Sequence, residues 1–79
     1  MHILLKPGAD WFARKSLREQ LTRSTISGEI VPLHGDLYGY DLQHMRRPPT
    51  AEELDAIESL PQVDRVELGD WPDPRKPTG

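Results

Sequence analysis

The chain opens on a short apolar run, Ile3-Leu4-Leu5, flanked by His2 and Lys6 and followed at once by Pro7-Gly8. A run that short, ended by that pair, predicts a strand over residues 2–6 and then a type II turn. Proline sets φ at the first central position and glycine accepts the positive φ needed at the second. The period then changes. Asp10 is a good N-cap, and Ala13, Leu17 and Leu21 recur every four residues, one apolar stripe of a helix. This helix is expected to reach about Ser24. Trp11 and Phe12 fall in its first turn, where they are expected to close over the core edge, and Arg14 and Arg18 share its outer face.

Residues 29–33 read as a second strand. Pro32 has no ladder donor, which places this strand at a sheet edge. His34-Gly35-Asp36 reads as a tight connection into an alternating segment over residues 37–44. There Tyr38, Tyr40 and Leu42 share one face, and Leu37, Gly39 and Asp41 the other. The two strands make a hairpin. Prolines 48 and 49 hold residues 45–49 extended. Thr50 and Glu53 then have capping-box spacing. Leu54, Ile57 and Leu60 form the apolar stripe of a second helix, which Pro61 stops, while Glu52, Glu53, Asp55 and Glu58 face water. Residues 63–68 make the last strand, with Val66 and Leu68 alternating against Arg65 and Glu67.

The predicted order is β-α-β-β-α-β. Right-handed crossovers turn it into an α+β, ferredoxin-like fold: a four-stranded antiparallel sheet with both helices on one face. Strands one and three are then central. Residues 1–70 form the single domain. Pro72, Pro74 and Pro77 mark residues 71–79 as a proline-rich tail, and Pro74 to Pro77 has the PxxP spacing of polyproline ligands. Trp71, just past the last strand, either folds back on the domain or anchors in a partner's pocket.

Size and composition narrow the function. A domain of 79 residues buries only about 60% of its unfolded surface and has little room for a deep ligand cleft. There is no cysteine, which removes disulfides, thiolate catalysis and zinc-thiolate sites. The opening run is short for a signal peptide and no stretch is long enough to span a membrane, so a cytoplasmic setting is expected. The formal charge is -3, and it is uneven. Residues 1–47 carry seven Lys/Arg against five Asp/Glu, whereas residues 48–79 carry three against eight. A polarised small protein docks in a preferred orientation, and net acidity argues against direct nucleic-acid binding.

No constellation points to catalysis, a cofactor or a metal. His2, His34 and His44 are widely spaced. His34-Gly35-Asp36 puts an imidazole near a carboxylate, as general-base chemistry needs, but no nucleophile accompanies it. Small ferredoxin-like phosphatases use an arginine and an asparagine, and this chain has no asparagine. Leu37-Tyr38-Gly39-Tyr40 faintly resembles the aromatic strand of RNA recognition modules. Asp36 replaces the basic residue before that motif, and the first strand offers no aromatic.

Two segments resemble the subtilisin propeptide-like inhibitors, a family that includes free-standing cytosolic members such as the fungal proteinase B inhibitors. One is His2-Ile3-Leu4-Leu5-Lys6-Pro7-Gly8-Ala9. The other runs from Tyr38 to Leu68 through Gly39-Tyr40-Asp41-Leu42, Pro49-Thr50-Ala51-Glu52-Glu53-Leu54-Asp55-Ala56-Ile57 and Leu60-Pro61-Gln62-Val63-Asp64-Arg65-Val66-Glu67. The resemblance implies an inhibitor without enzymatic activity. Its open sheet face would pack on two helices of a serine protease, and its tail would lie in the substrate cleft. Tyr38, Tyr40 and Glu67 would belong to the docking sheet, and Asp70, Trp71, Pro72 and Asp73 would enter the cleft. The tail departs from the family in its prolines, each of which lacks an amide donor.

Two alternatives remain open on the residues alone. The run from Glu52 to Asp73 holds eight acids and one base, Arg65. With Glu52, Asp55 and Glu58 outermost, it would suit a phage or mobile-element anti-defence protein, such as an anti-CRISPR, that blocks the basic groove of a host nucleoprotein complex. An uncovered sheet face on so small a domain also suits a structural subunit that forms a homodimer.

Overall fold

The computed structural model describes residues 1–24, 26–34 and 38–75. Six elements follow in the expected order: β1 (His2–Leu5), α1 (Trp11–Arg23), β2 (Ser27–Leu33), β3 (Gly39–Met45), α2 (Ala51–Glu58) and β4 (Val63–Glu67). They build one antiparallel sheet in the order β2-β3-β1-β4. This is the ferredoxin-like α+β arrangement, with β1 and β3 central and Pro32 on an edge strand.

Local chemistry sets the element ends. In the first turn the Ala9 amide donates to the Lys6 carbonyl at 3.3 Å, and Gly8 has φ 84°. The Asp10 carboxylate caps α1 by accepting from the Ala13 amide at 2.7 Å. The capping box of α2 is closed both ways. The Thr50 hydroxyl accepts from the Glu53 amide at 3.2 Å, and the Glu53 carboxylate accepts from the Thr50 amide at 2.9 Å. Two orphan amides are satisfied at the point where the chain leaves the prolines.

The core lies between the helices and one sheet face. Ile3 and Leu5 from β1, Tyr40 and Leu42 from β3, Val63 from β4, Leu17 and Leu21 from α1, and Ile26 are buried together. Each Leu or Ile so buried is worth roughly 1.5–3 kcal/mol relative to exposure. Tyr40 keeps its polar tip satisfied, because its hydroxyl donates to the Arg14 carbonyl of α1 at 3.1 Å. The Gln62 amide ties the α2–β4 connection to α1 through the Ala13 carbonyl at 3.2 Å.

Three expectations change. Trp11 and Phe12 do not close over the core: they are 56% and 75% exposed. The core-facing stripe of α1 is Ala13-Leu17-Leu21, and the first-turn aromatics fall to its side. Tyr38 does not share the packed face with Tyr40. It precedes β3, is 59% exposed, and meets the His34 ring edge-on at 5.0 Å. The strands also shift by one or two residues. β2 begins at Ser27 because Ser27 pairs with Met45. The expected turn at residues 34–36 lies partly outside the described residues.

Gly39 is the tightest backbone point. It has φ 143°, and a Cβ there would overlap the Ile3 carbonyl oxygen of the neighbouring strand. Gly8 also has positive φ, but open space surrounds it. In chemical denaturation, Gly8→Ala is expected to cost about 1–2 kcal/mol, the left-handed backbone penalty. Gly39→Ala is expected to cost more, because β1 and β3 must separate. Equal costs at the two sites would show that the close approach to Ile3 does not matter.

Candidate functional site

The alternation that sends Tyr40 to the helices sends its neighbours the other way. Register places Leu33, Gly39, Leu4 and Arg65 in one row across the sheet, and Val31, Asp41, His2 and Glu67 in the next. No helix covers these rows among the described residues. Leu4, Val31 and Leu33 stay partly exposed around the side-chain-free Gly39, while His2, Arg65 and Glu67 are exposed. The face is thus apolar at one end and charged at the other. Within the charged end, His2 Nε2 lies 3.4 Å from Asp41 Oδ1, and the terminal ammonium of Met1 lies 3.9 Å from the same oxygen.

The residues expected to meet a partner separate into four places: the sheet face, the core, α2 and the tail. Glu67 is on the open face and Tyr38 is exposed beside it in sequence from Gly39. Tyr40 is 1% exposed. Its ring fills the core and its hydroxyl is bonded to α1, so it supports the sheet from behind and is not offered to a partner. Glu52, Asp55 and Glu58 are exposed on α2, away from that face.

The tail supplies the largest departure from expectation. Gly69, at φ 65°, and a bond from the Trp71 amide to the Leu68 carbonyl at 3.3 Å turn the chain after β4. Trp71 is partly buried, which favours the folded-back alternative for this residue. Arg75 then returns to α2. Its guanidinium donates to both Glu58 carboxylate oxygens, at 2.6 and 3.0 Å, and to Asp55 at 3.1 Å. Asp73 Oδ1 accepts from the Arg75 amide at 2.9 Å. The planar fork of arginine matches a carboxylate in this bidentate way. The Arg75 side chain lowers the pKa of Glu58 through its hydrogen bonds, and Glu58 and Asp55 raise that of Arg75.

This clasp changes the reading of the acidic stretch. Residues 52–73 hold one base, but the base that answers Asp55 and Glu58 lies two residues beyond, so part of the negative face is already matched within the chain. The chain turns over residues 69–71 and Arg75 bonds α2, so Asp70, Trp71, Pro72 and Asp73 lie between that turn and the clasp. Sequence separation hid the clasp, because Arg75 is 17 and 20 residues from its partners. A signal did exist: Asp55 and Glu58, three apart on one helix, form a carboxylate pair suited to a guanidinium. The partly exposed Leu4, Val31 and Leu33 were legible as the strand positions opposite the core residues.

A second arginine fastens the entry to α2. Arg47 donates to the two Glu53 oxygens at 2.6 and 2.9 Å. That hydrogen bonding, opposed by partial burial and aided by Thr50, lowers the Glu53 pKa to about 2. An unfolded Glu titrates near ~4.3. The stabilisation is therefore fully present above that pH and is lost as the pH falls toward 2. Arg47→Ala is expected to raise the Glu53 midpoint, read by NMR titration of its carboxyl carbon, while Thr50 keeps it below the ordinary value. The acid limb of unfolding should move to higher pH. An unmoved midpoint would show that Arg47 does not hold Glu53.

Among the described residues no group of three or more His, Asp or Glu side chains is arranged to hold a metal ion, and no helix is long and apolar enough to cross a membrane. Comparison with protein-family models, with curated proteins and with solved structures finds no match for this chain.

Proposed function

We propose that this chain is a small non-enzymatic inhibitor that binds another protein through the open face of its sheet, with a subtilisin-type serine protease as the target class. The observation that carries the reading is the uncovered face itself, where Leu4, Val31 and Leu33 remain partly exposed on a sheet whose other side is buried. The order and pairing of the strands are those the likeness to subtilisin propeptide-like inhibitors requires. The apolar end of the face provides the contact area, and His2, Asp41, Arg65 and Glu67 at the charged end select orientation.

The tail takes part only after a rearrangement. Arg75 ties the tail to α2, so insertion into a substrate cleft requires the clasp to open. Docking is therefore a two-step event: the sheet seats first, and the tail exchanges its contacts with α2 for backbone pairing in the cleft.

The test is inhibition of a purified subtilisin-type protease. The full chain is expected to inhibit it, and a chain ending at Gly69 to lose that inhibition. Leu4→Glu combined with Leu33→Glu is expected to weaken inhibition about tenfold or more, equivalent to about 1.4 kcal/mol, with circular dichroism confirming the fold. Inhibition that survives loss of the tail rejects cleft insertion. Indifference to both sheet substitutions rejects the docking face.

A further inference from the structure

One flank of α1, beside the sheet, carries a second surface, distinct from the open sheet face. Trp11, Arg14, Lys15, Arg18 and Arg23 line a groove of about 560 Å³ that runs along the helix, with Tyr40 at its base. From Trp11 to Arg23 the helix rises roughly 18 Å. Glu19 is the single acid in the lining, and it lies 3.9 Å from Arg23. Arg14, Lys15 and Arg18 have no carboxylate within ion-pair distance among the described residues. This contrasts with Arg47 and Arg75, which are both matched in the fold.

At the head of the groove Trp11 is exposed, and the exposed Phe12, just outside the lining, packs edge-to-face against it with ring centroids 5.1 Å apart. The Lys15 ammonium sits 4.9 Å from the Trp11 ring centroid. Exposed Trp beside Arg is the side-chain chemistry in which binding energy concentrates at protein interfaces. A large exposed aromatic pair is otherwise unfavourable on a small domain.

We infer that this groove docks an acidic segment of a partner protein, with carboxylates on Arg14, Lys15 and Arg18 and an apolar side chain against Trp11. Charge complementarity identifies the occupant: three unmatched cations in line along one helix. A single-stranded nucleic acid also seeks cations and aromatics, but it needs a flat ring free for stacking. Here one face of Trp11 is covered by Lys15 and Phe12 meets it edge-on. The net charge of -3 further opposes a long polyanion. The surface is independent of the proposed inhibitory face, so either can fail alone.

The probe is a fluorescein-labelled peptide of alternating Glu and Leu, followed by anisotropy against the intact chain. Binding is expected, and it should weaken as salt rises to about 0.3 M, where the Debye length is under ~8 Å. Lys15→Glu with Arg18→Glu is expected to reduce affinity about tenfold or more. Trp11→Ala should reduce it while leaving the salt dependence unchanged. These side chains are exposed, so thermal melting should be unaltered in all variants. No peptide binding, or binding indifferent to these substitutions, overturns the inference. So does tighter binding of an oligothymidylate, which would assign the groove to nucleic acid. Concentration-dependent sedimentation abolished by the charge reversal would also overturn it, since the occupant would then be the acidic helix of a second copy.

Discussion

The structure depends on burial of a single sheet face beneath two helices. Ile3 sits at its centre, paired with Tyr40 on one side and Val66 on the other, and it is fully buried. These 79 residues build one such layer. The capped helices, the Tyr40–Arg14 bond and the Gln62–Ala13 bond all serve to hold that layer closed. Among the described residues no second layer covers the opposite face.

The fold was legible because local and long-range signals agree. The Ala13-Leu17-Leu21 stripe, the Asp10 cap, the Thr50–Glu53 box and Pro32 each state where an element begins, faces or ends. The boundaries shifted where pairing decides rather than propensity. Ser27 joins β2 because Met45 is opposite it. Tyr38 falls just ahead of β3, before Gly39, where a Cβ would overlap the Ile3 carbonyl oxygen.

The site was less legible, for a different reason. Strand alternation shows which residues share a face but not which face the helices take. Tyr40 could be assigned to either side until α1 was placed over it. The helix stripe shows what is buried, yet Trp11 and Phe12 lie beside it, where a hydrophobic residue reads as core by habit and as surface by geometry. Arg75 is invisible to any local rule, since its partners are reached only after β4 has been laid down and the chain has turned at Gly69.

The clasp between the tail and α2 has a consequence of its own. Its members are ionic and near the surface, so it is held chiefly by charges that dissolved ions compete for. Glu58 and Asp55 also sit near the C-terminal end of α2, where the helix dipole favours a cation, and Arg75 provides one. The strap therefore works as a latch on a rheostat. Rising ionic strength weakens the ion pairs that hold the tail, whereas the burial that holds the core is screened far less.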